Sequence, residues 1–336
     1  MTILVATSFF ISMILGWIYL RFPPSTDLIV IPNKRSAHLT PTIEGGGLVI
    51  ILTFGIFLFF GNLFGFLDSG IYLSLFFCAS LVGIVGFIDD VSEVNPLLRL
   101  TSHFVAALLG LYILEFNFHE IILFNKTINL GFIGSLLVLV YIVWILNLYN
   151  FMDGIDGIAS IQVISVCLSF GLICFFRLSE IEIWKMHVLL AGACSGFLFW
   201  NFPIARMFLG DTGSGFLGII LAFFSLEASL HEPVLFWSFL ILMGVFIVDA
   251  TFTLIIRLLN FEVLYHGHSN HAYQHAARAV GSHAKISLLV LSINLFWLSP
   301  LAFATAFGQI QGIVGLLIAF IPLLCICIYF KLNPSH

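Results

Sequence analysis

Runs of about 20 apolar residues, interrupted by short polar segments, recur from one end of the 336-residue chain to the other. In hydrocarbon every backbone N–H and C=O must be satisfied internally, so only helices and closed barrels span a bilayer. A barrel would alternate apolar and polar residues over ~10-residue strands. Unbroken runs near 20 residues fit helices crossing a core about 30 Å thick. The runs place spans near 2–21, 46–67, 70–88, 101–116, 131–149, 158–176, 185–201, 213–230, 233–256, 285–308 and 311–331. The expected fold is therefore all-α: a polytopic integral membrane protein of about eleven transmembrane helices, forming one membrane-embedded domain over 1–336. Charged residues are 9 % of the chain, against roughly 25 % in soluble domains, which excludes an ordinary soluble enzyme. The first run lacks a basic leader and a small-residue cleavage site, so it is expected to be a retained helix. All six cysteines fall inside apolar runs, without C-x-x-C spacing, and no disulfide framework is expected.

Eleven spans put the polar loops on two sides. Arg21, Lys34, Arg35, Arg99, Arg206, Arg257, Arg278, Lys285 and Lys331 fall on one side, and Lys126, Arg177 and Lys185 on the other. Basic loop residues stay in the cytoplasm, so the first side is expected to face the cytosol. The polar loops rich in Asp and His fall on that same side, although they took no part in counting spans. A soluble face of this kind suits an active site better than a path through the bilayer.

Five loops on this face carry chemistry. GFIDDVSEVNPLLRL (86–100) places Asp89 and Asp90 side by side at a helix end, with Arg99 following. Adjacent carboxylates repel unless a cation lies between them, and Mg²⁺ takes one or two carboxylates together with substrate phosphates. The plain alternative is a pair of solvated acids. NLYNFMDGIDGIAS (147–160) sets Asn147, Asn150, Asp153 and Asp156 around two glycines that permit a tight turn. A polar inter-helix turn accounts for one Asn and one Asp-Gly, not for four such residues. NFPIARMFLGDTGSGFLG (201–218) carries Asp211 in a Gly-rich turn before a helix, whose free amides suit phosphate. Phe208 precedes it, where a ring can stack on a base, although 38 phenylalanines dilute that signal. YHGHSNHAYQHAAR (265–278) contains His266, His268, His271 and His275. Imidazoles donate to phosphate oxygens; a solvated loop and metal ligation stay open beside that reading. The first basic loop, IPNKRSAHLTPTIEGGGLVI (31–50), offers Asn33, Arg35 and His38 to a substrate, and its triple glycine suits close helix packing. Asp249 is a further acid inside an apolar run, a position that is expensive in lipid.

Taken in order, NKRSAHLTPTIEGGG, GFIDD…RL, NLYNFMDGIDGIAS, FPIARMFLGDTGSG and HGHSNHAYQ resemble the polyprenyl-phosphate N-acetylhexosamine-1-phosphate transferases, glycosyltransferase family 4, over about residues 27–278. The HAYQ stretch and the first loop resemble the O-antigen-initiating branch, which tends to use deoxy-N-acetylhexosamines. The resemblance implies transfer of a sugar-1-phosphate from a UDP-sugar to undecaprenyl phosphate at the cytoplasmic membrane face, releasing UMP and starting a lipid-linked surface glycan. It implies Mg²⁺, with Mn²⁺ as a substitute, a homodimer, and no nucleic-acid partner. By the same resemblance Asp211 binds the metal with Asn150, and Asp89 or Asp90 deprotonates the acceptor. Asn147, Asn150, Asp153 and Asp156 form the nucleotide pocket, Phe208 stacks on uracil, and His268 and His271 contact phosphate and sugar. Asn33, Arg35, His38 and Arg99 join the substrate-binding set.

The chain departs from that branch where Pro-Thr-Pro-Arg is Pro41-Thr42-Ile43-Glu44, where His-Arg-Ser-His is His268-Ser269-Asn270-His271, and where a usual Gln is His103. Two rival classes stand beside this reading. A CDP-alcohol phosphatidyltransferase also uses Asp-Gly motifs and a divalent ion, but DGIDGIAS lacks its Arg and its later acids. An ion-coupled transporter would place acids in the middle of several spans, and only Asp249 and Glu227 come near that.

Overall fold

The computed structural model describes residues 2–31, 41–65, 70–116, 120–123, 126–178, 180–262 and 270–332. Fourteen α-helices carry the described chain, with four short strands beside them. Helices α1 (Thr2–Arg21), α2 (Gly47–Leu63), α3 (Gly70–Val91), α4 (Pro96–Ile113), α5 (Phe132–Phe151), α6 (Ile158–Arg177), α7 (Ile183–Asn201) and α8 (Gly210–His231) follow the first eight expected spans. Nine helical stretches among the described residues are long and apolar enough to cross a membrane, and one bent pair makes a tenth. The chain is thus a multi-pass, all-α membrane protein, with the 17-residue α2 as a shorter apolar helix.

Burial ranks the helices. In α8 89 % of the most apolar stretch is buried, against 22 % in α1 and in α14 (Gly312–Leu332). So α8 is the central post and α1 and α14 are peripheral. Helices α3 and α5 flank α8, and α1 packs on α7, where Ser12 Oγ donates to the Ala193 carbonyl at 2.6 Å. The triple glycine does what close packing requires: a methyl group on Gly47 would overlap the backbone of Gly213, so α2 and α8 meet backbone to backbone.

Several boundaries differ from the sequence reading. Span four begins five residues early, because Pro96 suits the first helical turn and Asn95 Oδ1 accepts from the Leu97 N–H at 2.9 Å. The expected single span at 233–256 is broken. Helix α9 (Val234–Leu242) and α10 (Gly244–Leu259) meet at 73°. Hydropathy carries no sign of that bend, since both arms are apolar. The tenth span is α12 (His283–Ile293) and α13 (Ser299–Ala306), joined by a π-helical turn at Asn294–Leu298. There Asn294 Nδ2 donates to Gln162 Oε1 at 2.7 Å and to Ser165 Oγ at 2.8 Å. Such wide turns form where a side chain must reach out of register.

Outside the spans, β1 (Ile29–Val30) pairs antiparallel with β2 (Thr42–Ile43), and β3 (Glu120–Leu123) with β4 (Lys126–Asn129). The short helix α11 (Ala272–Val280) lies between the bent pair and α12. All six cysteines are free thiols.

Candidate active site

The start of α8 organises everything around it. Asp211 is in its first turn. Asp211 Oδ1 accepts from Asn150 Nδ2 at 2.7 Å, and Oδ2 lies 2.6 Å from Arg99 Nη2. The same guanidinium reaches Asp89 Oδ2 through Nη1 at 2.5 Å. Asp89 Oδ1 accepts the Val94 N–H at 2.6 Å. The end of α3, the start of α4, the end of α5 and the start of α8 thus meet at one point. Arg99 is the cation that separates two of its carboxylates. Helix α3 comes close enough because Gly86 has no side chain: a methyl there would overlap the Asp211 carbonyl group.

Asp90 points elsewhere than its neighbour. It accepts the backbone N–H of Asp211 at 2.7 Å and of Thr212 at 3.1 Å, and the Thr212 hydroxyl at 2.5 Å. The amides expected to bind phosphate are therefore occupied by a carboxylate of the protein. Asp90 is an N-terminal cap delivered from another helix, and it uses the positive end of α8 as an anion site. Both acids of the Asp-Asp pair are engaged by the protein, and they do different things.

A cavity of about 290 Å³ opens beside Asp211. Asn150, Asp153, Asp156, Phe208, Asp211 and Ser214 line it, together with Glu44, Asn201 and His283. A larger cavity, about 610 Å³, lies between α4 and α5, but its wall is apolar apart from Tyr112, Glu115 and Ser135. It lacks the chemistry of the first.

The turn 152–157 is held from several directions. Gly157, at φ +77°, donates its N–H to Asn201 Oδ1 at 2.9 Å. Asn201 Nδ2 donates to the Met207 carbonyl at 2.9 Å. Asp156 Oδ2 accepts the Ala205 N–H at 3.3 Å, and the Asp156 carbonyl accepts Ser287 Oγ at 2.7 Å. Tyr273 Oη donates to the Phe151 carbonyl at 3.2 Å. The segment after β2 runs along the Phe208 loop: Phe208 N–H donates to the Ile43 carbonyl at 2.7 Å, and Gly46 N–H to the Phe208 carbonyl at 2.9 Å. That pairing carries Glu44 to the cavity beside Phe208.

Not every expected residue arrives. Asn147 Nδ2 donates to the Val143 carbonyl of its own helix at 2.7 Å, away from the cavity wall. His271 is buried behind the turn. Its ring stacks on Phe151 and Tyr273, with Nδ1 3.3 Å from Asp249 Oδ1. Asp249 also accepts the N–H of Ala272 at 3.0 Å and of Tyr273 at 2.9 Å, so it caps α11. The intramembrane acid is a helix cap from the bent span, not a transport site. Asn33, Arg35, His38 and His268 lie outside the described residues.

Four polar wall residues, Glu44, Asn201, Ser214 and His283, are not among those the sequence marks as a site. Glu44 drew notice only as a departure from a family pattern. Asn201 sat unremarked at the end of a span. His283 follows Ser282, whose Oγ accepts the Lys285 N–H at 3.4 Å as the cap of α12. A histidine in a capped first turn on the polar side was the available signal.

The cavity is rich in acid, and this shows in its protonation. Burial, then the Asp90, Asp211 and Asp89 charges, pushes Glu44 up to about 7. Burial, then Glu44, Asp211, Asp90 and Asp156, pushes Asp153 up to about 8. Between the ordinary carboxylate values and these, the folded state holds protons that the unfolded chain has lost. Stability therefore falls as pH rises through that interval. In EDTA, thermal unfolding of the detergent-solubilised protein is expected at steadily lower temperature from about pH 5 to about pH 8. A flat or rising profile would contradict the buried-acid arrangement.

The donor set fits a hard divalent cation. Among the described residues no three Asp, Glu, His or Cys side chains form a metal cage. The wall does offer the Asp211 and Asp153 carboxylates and Asn150, whose amide nitrogen is committed to Asp211 and to Ser214 Oγ at 2.9 Å. One or two such oxygens completed by phosphate is the usual Mg²⁺ arrangement.

Residues 72–229 match the family described as glycosyl transferase family 4. Asp89, Asp90, Arg99, Asn150, Asp153, Asp156, Phe208 and Asp211 all fall inside that stretch. The chain is similar to a probable undecaprenyl-phosphate N-acetylglucosaminyl 1-phosphate transferase of Bacillus subtilis, 29 % identical over 77 % of this chain and 72 % of the relative. It is also similar to phospho-N-acetylmuramoyl-pentapeptide-transferases of two streptococci. That of Streptococcus pneumoniae serotype 2 is 30 % identical over 63 % of this chain and 65 % of the relative. That of Streptococcus thermophilus (strain CNRZ 1066) is 30 % identical over 66 % and 67 %.

Proposed function

The chain belongs to glycosyl transferase family 4, the polyprenyl-phosphate N-acetylhexosamine-1-phosphate transferases, and we propose that it transfers a sugar-1-phosphate from a UDP-sugar to undecaprenyl phosphate. A phosphate oxygen of the acceptor attacks the sugar-side phosphorus of the donor. The P–O bond to UMP breaks, UMP leaves with that electron pair, and a lipid diphosphate sugar forms. The observation that carries this reading is the convergence of Asn150, Asp153, Asp156, Phe208 and Asp211 on one cavity at the ends of apolar helices. A soluble donor and a lipid acceptor need a site at that boundary.

The residues divide the work. Phe208 is half-buried on the cavity wall and offers a ring face to uracil. Asp211, with Asn150, is the side chain that would hold Mg²⁺, and Mn²⁺ in its place. When bound, the ion neutralises phosphate charge in the transition state. Arg99 holds Asp89 and Asp211 apart and in place. Phosphoryl transfer depends on positioning and electrostatics more than on covalent help. We take the attack to be direct, with Asp89 or Asp90 as base; Asp89 is held by Arg99 and the Val94 N–H, and Asp90 by the α8 amides. The excess of basic residues on the site's side favours a cytoplasmic site. The HAYQ stretch favours an N-acetylhexosamine or deoxy-N-acetylhexosamine donor and a surface glycan of the O-antigen class.

The test is a membrane assay with undecaprenyl phosphate, Mg²⁺ and a panel of UDP-N-acetylhexosamines, following UMP release and lipid-linked label. Activity with one donor, abolished by EDTA and restored by Mg²⁺ or Mn²⁺, is the expected result. Release of CMP from a CDP-alcohol, with no UMP from any donor, would overturn the reading.

A further inference from the structure

The cavity wall has a charge problem. Glu44, Asp153, Asp156 and Asp211 all line it, and the proposed donor brings a diphosphate. Among the described residues that line the cavity, one carries a basic side chain: His283. Arg99 stands behind Asp211, where its guanidinium bridges two carboxylates.

His283 is also oriented. Its Nδ1 lies 3.5 Å from Asp156 Oδ1. Asp156 is itself fixed, by the Ala205 N–H on Oδ2 and by Ser287 Oγ on its carbonyl. Ser287 stands one helical turn beyond His283 on α12, so this helix grips the Asp156 turn twice. A ring with Nδ1 turned to a carboxylate has Nε2 on its opposite edge, and an imidazolium donates from both nitrogens. The side chain is 24 % exposed, enough to be reached from the cavity. The first turn of α12 adds the positive end of a helix on the same side.

We propose that His283, oriented by Asp156, is a donor-binding residue that contacts the diphosphate of the UDP-sugar. It gives the acidic wall an imidazole hydrogen-bond donor, and it ties occupancy of the cavity to α12. The inference rests on the UDP-sugar reading above.

Binding measurements separate the two. Uridine, UMP and UDP are titrated into detergent-solubilised full-length wild type, His283→Ala and His283→Gln, in Mg²⁺ throughout, beside thermal unfolding of each. A hydrogen bond to a charged group corresponds to about a 10- to 100-fold change in affinity. The expected result is a UDP Kd raised about tenfold or more in His283→Ala, with the uridine Kd unchanged and His283→Gln between the two. If wild type binds UDP and His283→Ala binds it equally well, the His283 assignment falls and the UDP-sugar reading stands. A loss for uridine equal to that for UDP in both variants would reduce His283 to a structural role and overturn the inference. If wild type binds neither uridine nor UDP, the underlying reading falls and takes the inference with it.

Discussion

Asp211→Asn is expected to lower turnover by about 10²–10³-fold or more while leaving the protein folded. The substitution keeps the size of the side chain. Oδ1 can still accept from Asn150 Nδ2, which now lies 2.7 Å away. The other atom becomes an NH₂ facing Arg99 Nη2, which now sits 2.6 Å from a carboxylate oxygen. Two donors then meet, one negative charge is gone, and Arg99 keeps only Asp89 as its acid. An ion held by one or two carboxylates loses most of its protein-derived charge when one becomes an amide. The effect should appear in turnover at saturating donor and should persist at raised Mg²⁺. Thermal unfolding in EDTA should move little, because replacing one acid in a crowded acidic cavity relieves repulsion. A variant retaining more than about a tenth of wild-type turnover would remove Asp211 from the centre of the reaction.

The helices were largely legible because hydropathy over about 20 residues is a direct reading of the solvent around them. What it cannot register is a change of direction inside an apolar environment. The 73° break at Met243 joins two apolar arms that are both buried where they meet, so hydropathy does not mark it. The acidic cavity was legible because carboxylates beside lipid are costly and therefore rare. Asp153, Asp156 and Asp211 stood out for that reason. Their division of labour was not legible. Asp89 and Asp90 are adjacent, yet one pairs with Arg99 and the other caps α8. That difference is set by where α8 starts relative to α3, a long-range relation with no local signature. Asn147 misled for the complementary reason. Its spacing matched Asn150, but a side-chain bond back to its own helix satisfied it. His271 and Asp249 each looked functional alone. Together they form a buried cap for α11, which positions the turn through Tyr273.

Asp90 supplies the sharpest consequence of that division. If it were a solvated base, Asp90→Asn would cost activity and leave stability alone. As a cap it accepts three hydrogen bonds, from two backbone amides and one hydroxyl. An asparagine can accept through one oxygen only. Its NH₂ would face either the Asp211 N–H or the Thr212 N–H, and one buried donor would be left unmade. The expected loss of folding stability is about 2–4 kcal/mol, combining a lost cap with an unsatisfied buried amide. Turnover should fall about 10²-fold as well, because Asp211 sits on the amide that Asp90 holds, and a small displacement of a positioned group is enough for that. Asp90→Glu should fail to rescue either property. The carboxylate already packs against Gly210, so an added methylene has no room. Thermal unfolding and turnover measured on the same preparations decide between the two roles. A variant with wild-type stability and no activity would return Asp90 to the chemistry; a fall in both identifies the residue that holds the Asp211 end of α8 in place.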